Sequence, residues 1–295
     1  MNRQDEPMTS AVPAIASPVA RPGRSLQLGP AAAYTVLAAL ALFALGPFTW
    51  VLLAAFDPDA NIFVQAPRTV SLENFQNAFT GADGLGLIVN SLIYAGGATL
   101  ILVVVTTLGG YALSRYDFPG RRTFMLSVLL VRVIPPTATI VPLFVIAQDL
   151  GFVDTHHGVI LVLASLNVPL GLWIMKGFFD TVPMDIEEAA WVDGANRLQT
   201  AFRIVLPLAG PGVAAGALIG FIGAWGEFLI PLVLISDPDK MPISIGLFRA
   251  WLNYTNVDWG LLAALSIIYM VPAVVFYVVA RRALQSSLAG GLAGQ

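Results

Sequence analysis

The chain has no cysteine in its 295 residues. Disulfides and thiolate metal sites are therefore excluded. Charge is also scarce. Only 11% of residues are charged and 57% are hydrophobic, against about 25% charged in soluble domains. Such a chain would not stay in water, so the class is integral membrane protein. The net charge of −3 gives no case for nucleic-acid binding. The two histidines, His156 and His157, are neighbours. Adjacent residues do not share a helix face, so the pair reads as part of an interfacial loop and not as a metal site. Lysine occurs twice, at Lys176 and Lys240, and neither follows a glycine. The Gly-Lys-Ser/Thr of a phosphate-binding loop is therefore missing. No cofactor is expected in this chain.

Long apolar runs fill the rest. Six lie near residues 31–56, 85–113, 123–147, 157–178, 208–235 and 260–280. Each is long enough to cross a hydrocarbon core of about 30 Å. Backbone groups in lipid must bond internally, and the runs are continuous rather than alternating, so they predict helices and not a barrel. The fold class is all-α and polytopic, with six transmembrane helices across 31–284. Residues 1–30, with Pro7, Pro13, Pro18, Pro22 and Pro30, read as a disordered cytoplasmic tail, and 285–295 as a cytoplasmic C-terminal tail. The run after the first tail exceeds the roughly 7–15 residues of a signal-peptide core, so a cleaved signal is not expected.

Lys and Arg set the orientation. With the N-terminus inside, eleven of them face the cytoplasm, including Arg115, Arg121, Arg122, Lys176, Arg197 and Arg203. Only Arg68, Lys240 and Arg249 face outward. Both termini and the loop 180–207 are thus expected in the cytoplasm of a bacterial or archaeal cell. The outer loops 57–84 and 236–259 are polar and large enough to touch a soluble partner.

The loop 180–207 carries the most information. Asp185, Glu187 and Glu188 suit the positive end of a helix dipole. Ala189, Ala190 and Trp191 can continue that helix, and Gly194 can end it with a sharp turn. Residues 196–205 can start a second helix into the next span. The expected object is a short helix lying across the bundle end. Its small alanines admit another surface, and its acids are available for charge pairing.

The spacing Glu188-Ala189-Ala190, Gly194 after three residues, and Ile204-x-Leu206-Pro207 after nine more resembles the EAA loop of ATP-binding-cassette importer permeases. Further matches are Asn90-Ser91, Tyr111-Ala112-Leu113-Ser114-Arg115 with Phe118-Pro119-Gly120-Arg121, and Arg132-Val133-Ile134-Pro135-Pro136. Asn167-Val168-Pro169 and Ala224-Trp225-Gly226-Glu227-Phe228 follow, with Gly226 where the family commonly has Asn. The chain is most similar to carbohydrate-uptake permeases of the type I importer class, on the side of the second permease of maltose and trehalose importers. The resemblance implies a heterodimer with a second homologous permease, two cytoplasmic ATP-binding cassette subunits and an extracytoplasmic solute-binding protein. It assigns ATPase coupling to Glu187, Glu188, Ala189, Ala190, Asp193 and Gly194. The implied substrate is a di- or oligosaccharide. Permeases for glycerol phosphate or another polar solute look alike.

Within the spans the ionisable groups are Arg132 and Glu227. Charge there is costly, at least about 2.5–3.5 kcal/mol for Arg, and such groups usually face a cavity or a partner. Arg132, Asn167, Trp225 and Glu227 are the candidate substrate-path residues, since carboxylate, amide and aromatic groups suit a sugar. The competing role for each is helix packing. A membrane enzyme would need a fuller constellation than Arg132 and Glu227. A proton-coupled transporter would leave the 180–207 loop without a purpose. Gly212, Gly216 and Gly220 give small-xxx-small spacing, which favours close helix packing.

Overall fold

The computed structural model describes residues 30–81, 83–252 and 257–292. The expected N-terminal tail lies outside these residues, apart from Pro30. Two compact units meet at residue 47. The first holds the early part of helix α1 (Pro30–Ala55), whose Leu37, Leu40, Leu42 and Phe43 are all exposed. A helix that is apolar on every side suits lipid.

The second unit begins at Pro47 and holds α2 (Glu73–Thr80), α3 (Gly84–Arg115), α4 (Arg121–Val131), α5 (Pro136–Asp149) and α6 (His156–Asp180). Then come α7 (Met184–Val192), α8 (Arg197–Thr200), a π-helical turn (Ala201–Val205), α9 (Leu206–Leu208) and α10 (Gly210–Trp225). The last are α11 (Leu229–Leu234), a 3₁₀ turn (Pro238–Lys240), α12 (Ile243–Trp251) and α13 (Trp259–Leu292). Among the described residues, four helices are long and apolar enough to cross a membrane. The count rises to six if each of two bent helix pairs is one span.

Those bends depart from the sequence expectation of unbroken runs. The run 123–147 is α4 and α5, turned by 98° at Arg132–Pro135. Pro136 has no N–H, and a proline forces the residue before it into extended backbone, as at Pro135 with ψ 135°. The run 208–235 is also broken. A 72° bend separates residues 197–208 from α10, where Pro211 starts a new first turn. A second break, at Gly226–Phe228, separates α10 from α11. At the other end, α13 continues to Leu292, so residues 285–292 are helical.

α3 and α6 run parallel. Gly97 of α3 faces Ile160 of α6, and Gly110 faces Met175. α10 packs on both, with Gly212 against Phe178 and Gly220 against Leu102. A side chain at either glycine would collide with its neighbour, so the small-residue spacing serves packing here. α13 closes the core through Phe221, which stacks on Phe276 at 4.0 Å.

One end of the bundle is tied by polar side chains on α3. Asn90 donates to the Asp239 and Met241 carbonyls at 2.8 and 3.1 Å, and the Ser91 hydroxyl accepts from Ile243 N–H at 2.9 Å. The Tyr94 hydroxyl donates to the Lys240 carbonyl at 2.8 Å. Its only proton is thereby used, so the His156 Nδ1 contact at 3.0 Å must be a donation from the imidazole. His156, expected in a loop, instead opens α6 and anchors its start, and its neighbour His157, also helical, packs edge-on against Phe152.

Candidate functional site

The opposite end of the bundle carries α7. Pro183, extended, begins it, and the helix ends after Val192. Gly194 has φ +88°, the left-handed region that favours glycine. Its N–H reaches the Trp191 carbonyl at 3.1 Å, and the Ala195 N–H reaches Ala190 at 2.9 Å. Asn196 then opens α8 with a capping box, its side chain and that of Gln199 each accepting a backbone N–H of the other. The helix–turn–helix expected over 184–205 is therefore present, with the second helix interrupted by a π turn.

The six candidate coupling residues divide into two sets. Glu188, Ala189, Asp193 and Gly194 are exposed. Ala190 is buried, and Glu187 is fully buried. Glu187, expected among the coupling residues, thus faces the bundle interior while its neighbour Glu188 faces out. Arg115, at the end of α3, ion-pairs with it through Nε. Tyr111, one turn earlier, donates to Oε2 at 2.9 Å. Arg115 Nη2 also donates to the Val182 carbonyl at 2.9 Å. Beside it, Ser114 donates to Asp180 at 2.6 Å, and Lys176 bonds the other oxygen of that carboxylate at 2.5 Å. A buried carboxylate is tolerated only with such partners. Arg115 and Tyr111 were absent from the sequence candidates. Their signal was the charged end of an apolar run four residues after a tyrosine, which the sequence alone could not pair with an acid 72 residues on.

The outward face of this region mixes acid and apolar side chains. Val192 is 88% exposed and Leu198 71%. Ile186, Phe202 and Glu188 are also exposed. Arg197 crosses the Trp191 ring at 5.5 Å and the Tyr116 ring at 6.0 Å, bracing α8 against α7. Between α3 and the π turn runs an apolar groove lined by Val104, Thr107, Leu108, Phe202 and Leu206.

The intramembrane candidates also separate. Trp225 is buried, and its indole donates to the Tyr269 carbonyl at 3.2 Å while the Tyr269 hydroxyl donates to the Trp225 carbonyl at 3.2 Å. Its ring stacks on both Tyr269 and Phe221. Trp225, expected along the path, thus packs between α10 and α13 through Phe221 and Tyr269. Glu227 is half-buried in the break after α10, where its Oε1 accepts from Leu229 N–H at 2.9 Å and caps α11. Arg132 is exposed at the α4–α5 break and donates to the Leu166 carbonyl at 3.2 Å. Asn167, next in the chain, is half-buried, bonds Leu163 at 3.0 Å, and lies beside Gly223 of α10. Arg132, Asn167 and Gly223 thus form one chain of neighbours across three helices. No pairing of Arg132 with Glu227 occurs.

A family profile described as "Binding-protein-dependent transport system inner membrane component" matches residues 105–287. The diacetylchitobiose uptake system permease protein of Streptomyces coelicolor is 32% identical over 249 residues, which cover 83% of this chain and 82% of that protein. The trehalose/maltose transport system permease protein of Thermococcus litoralis is 31% identical over 264 residues, covering 87% and 94%. Among solved structures, a bacterial ABC transporter involved in the import of the acidic polysaccharide alginate aligns with TM-score 0.74 at 22% identity. That alignment covers 85% of this chain and 94% of the other.

Proposed function

This chain belongs to the binding-protein-dependent transport system inner membrane components, and from that premise we propose that it forms half of the membrane pathway of an ATP-driven sugar importer. The substrate is a di- or oligosaccharide. Several relatives with about 30% identity across most of the chain take up diacetylchitobiose, trehalose or maltose, or galactooligosaccharides by name. A second homologous permease completes the path. The apolar groove beside Thr107 and Leu108 supports that partner, since a helix would fill it without exposing polar groups.

The carrying observation is the face of α7 and α8, where Glu188, Val192 and Leu198 are exposed together. We assign this face to a cytoplasmic ATPase, which holds the ATP and magnesium. Its charged loop, the Lys/Arg asymmetry and the family support a cytoplasmic position for α7. The loops at the other end of α3, around residues 236–252, then meet a solute-binding protein outside. Arg132, Asn167 and Glu227 are assigned to the substrate path.

The test is uptake by cells lacking the chromosomal copy, offered labelled trehalose, maltose, diacetylchitobiose and glycerol 3-phosphate. Uptake of one of the sugars, dependent on this chain and on ATP, is expected. Uptake of glycerol 3-phosphate alone would overturn the substrate class. Accumulation that survives ATP depletion would overturn the mechanism.

A further inference from the structure

Glu187 lies in the docking helix yet turns away from the docking face, into the bundle. Its carboxylate is shared by Arg115 and Tyr111, both on the last two turns of α3. Arg115 also holds Val182, the residue that leads into α7. The adjacent Ser114–Asp180–Lys176 contacts join the same end of α3 to the end of α6. Four residues separate Tyr111 from Arg115, so both fall on one helix face. Two independent sequence signatures, Tyr-x-x-x-Arg at the end of one run and the acidic helix of the following loop, thus meet in one buried contact.

We propose that Glu187, Arg115 and Tyr111 are positioning residues that make α7 move as one body with α3, and that they are not docking residues. This rests on the reading of α7 as the ATPase contact. Docking then belongs to Glu188, Val192 and Leu198, and transmission to the buried triad. Neutralising Glu187 should leave the ATPase bound while freeing α7 from α3.

The experiment uses the full transporter with its ATPase and sister permease in nanodiscs, with ATP plus orthovanadate as the probe. Because this chain has no cysteine, spin labels at Asp185→Cys, exposed on α7 and outside the docking set, and at Leu100→Cys report its α7–α3 distance uniquely within the chain. Without further substitution, one narrow distance is expected both before and after ATP–vanadate. In Glu187→Gln the ATPase should co-purify at native stoichiometry. The distance distribution should split under ATP–vanadate, with the ratio of native to displaced species falling about tenfold. Tyr111→Phe, which keeps the ion pair, should give a smaller split. A single native distance in Glu187→Gln overturns the proposal. So does loss of the ATPase from that variant, which would make Glu187 part of docking or folding. Glu188→Lys tests the underlying reading separately. If the ATPase stays bound there, the docking assignment fails whatever the labels report on α3.

Discussion

Glu187 and Glu188 are consecutive carboxylates, one fully buried and the other exposed. About 100° of helix rotation separates them, enough to put one carboxylate against Arg115 and the other in solvent. Removing one partner of a buried pair leaves an uncompensated charge, so Arg115→Ala should cost about 3–5 kcal/mol. Thermal aggregation of the purified complex would show it, whereas Glu188→Ala should leave the melting temperature unchanged. The same contrast holds at Trp225 and Glu227. Trp225→Ala removes a stacked, doubly bonded ring and should destabilise by about 3–5 kcal/mol. Glu227→Ala loses a helix cap of about 1 kcal/mol and should lower sugar uptake well before it lowers expression. Uptake unchanged in Glu227→Ala would return that residue to capping alone. At Gly194, φ +88° means that a Cβ costs about 1–2 kcal/mol. Gly194→Pro cannot adopt that φ at all, so loss of bound ATPase is expected from it.

Among elements, the helices that stay whole were the readable ones. α3 and α6 are unbroken and carry long apolar stretches, and their length announced them. The broken ones were not. Arg132-Val-Ile-Pro135-Pro136 carries its own break signal, yet the flanking apolar residues conceal a 98° turn. Gly226-Glu227 likewise ends α10, and Glu227 is a cap there rather than a buried mid-span charge. Pairings between distant elements, such as Tyr111 with Glu187 and Trp225 with Tyr269, had no local signal. The π turn at Ala201–Val205 also had none, since it differs from an α-helix by a single extra residue. Deleting Phe202 should restore α-helical register and rotate the preceding α8 by about 100°. Leu198 and Arg197 would leave their present faces, and co-purification of the ATPase should fall while the core spans still insert.

For the whole molecule, charge asymmetry and helical count suffice to propose a topology that a direct measurement can decide. Single cysteines at Val192 and at Val64, both well exposed, are unique labels in a chain without native thiols. An impermeant thiol reagent should modify Val192→Cys only in inside-out vesicles and Val64→Cys only in right-side-out cells. The reverse pattern would invert the assignment of both partner faces. The family and the helical class were legible from the spacing around Glu188-Ala189-Ala190. The division of that loop into an inner and an outer face was not, because the sequence does not record which side of α7 meets α3.

α3 is 32 residues long, about 48 Å at helical rise. It is fastened at its first turns to the 239–243 loop and at its last turns to the α7 segment. A rod clamped at both ends gives the protein no separate clock. Any displacement at one face is at once a displacement at the other, so the order of events need not be enforced by a relay of intermediate states. On the proposed reading, the direction of transport is expected to come from which partner binds each end and when.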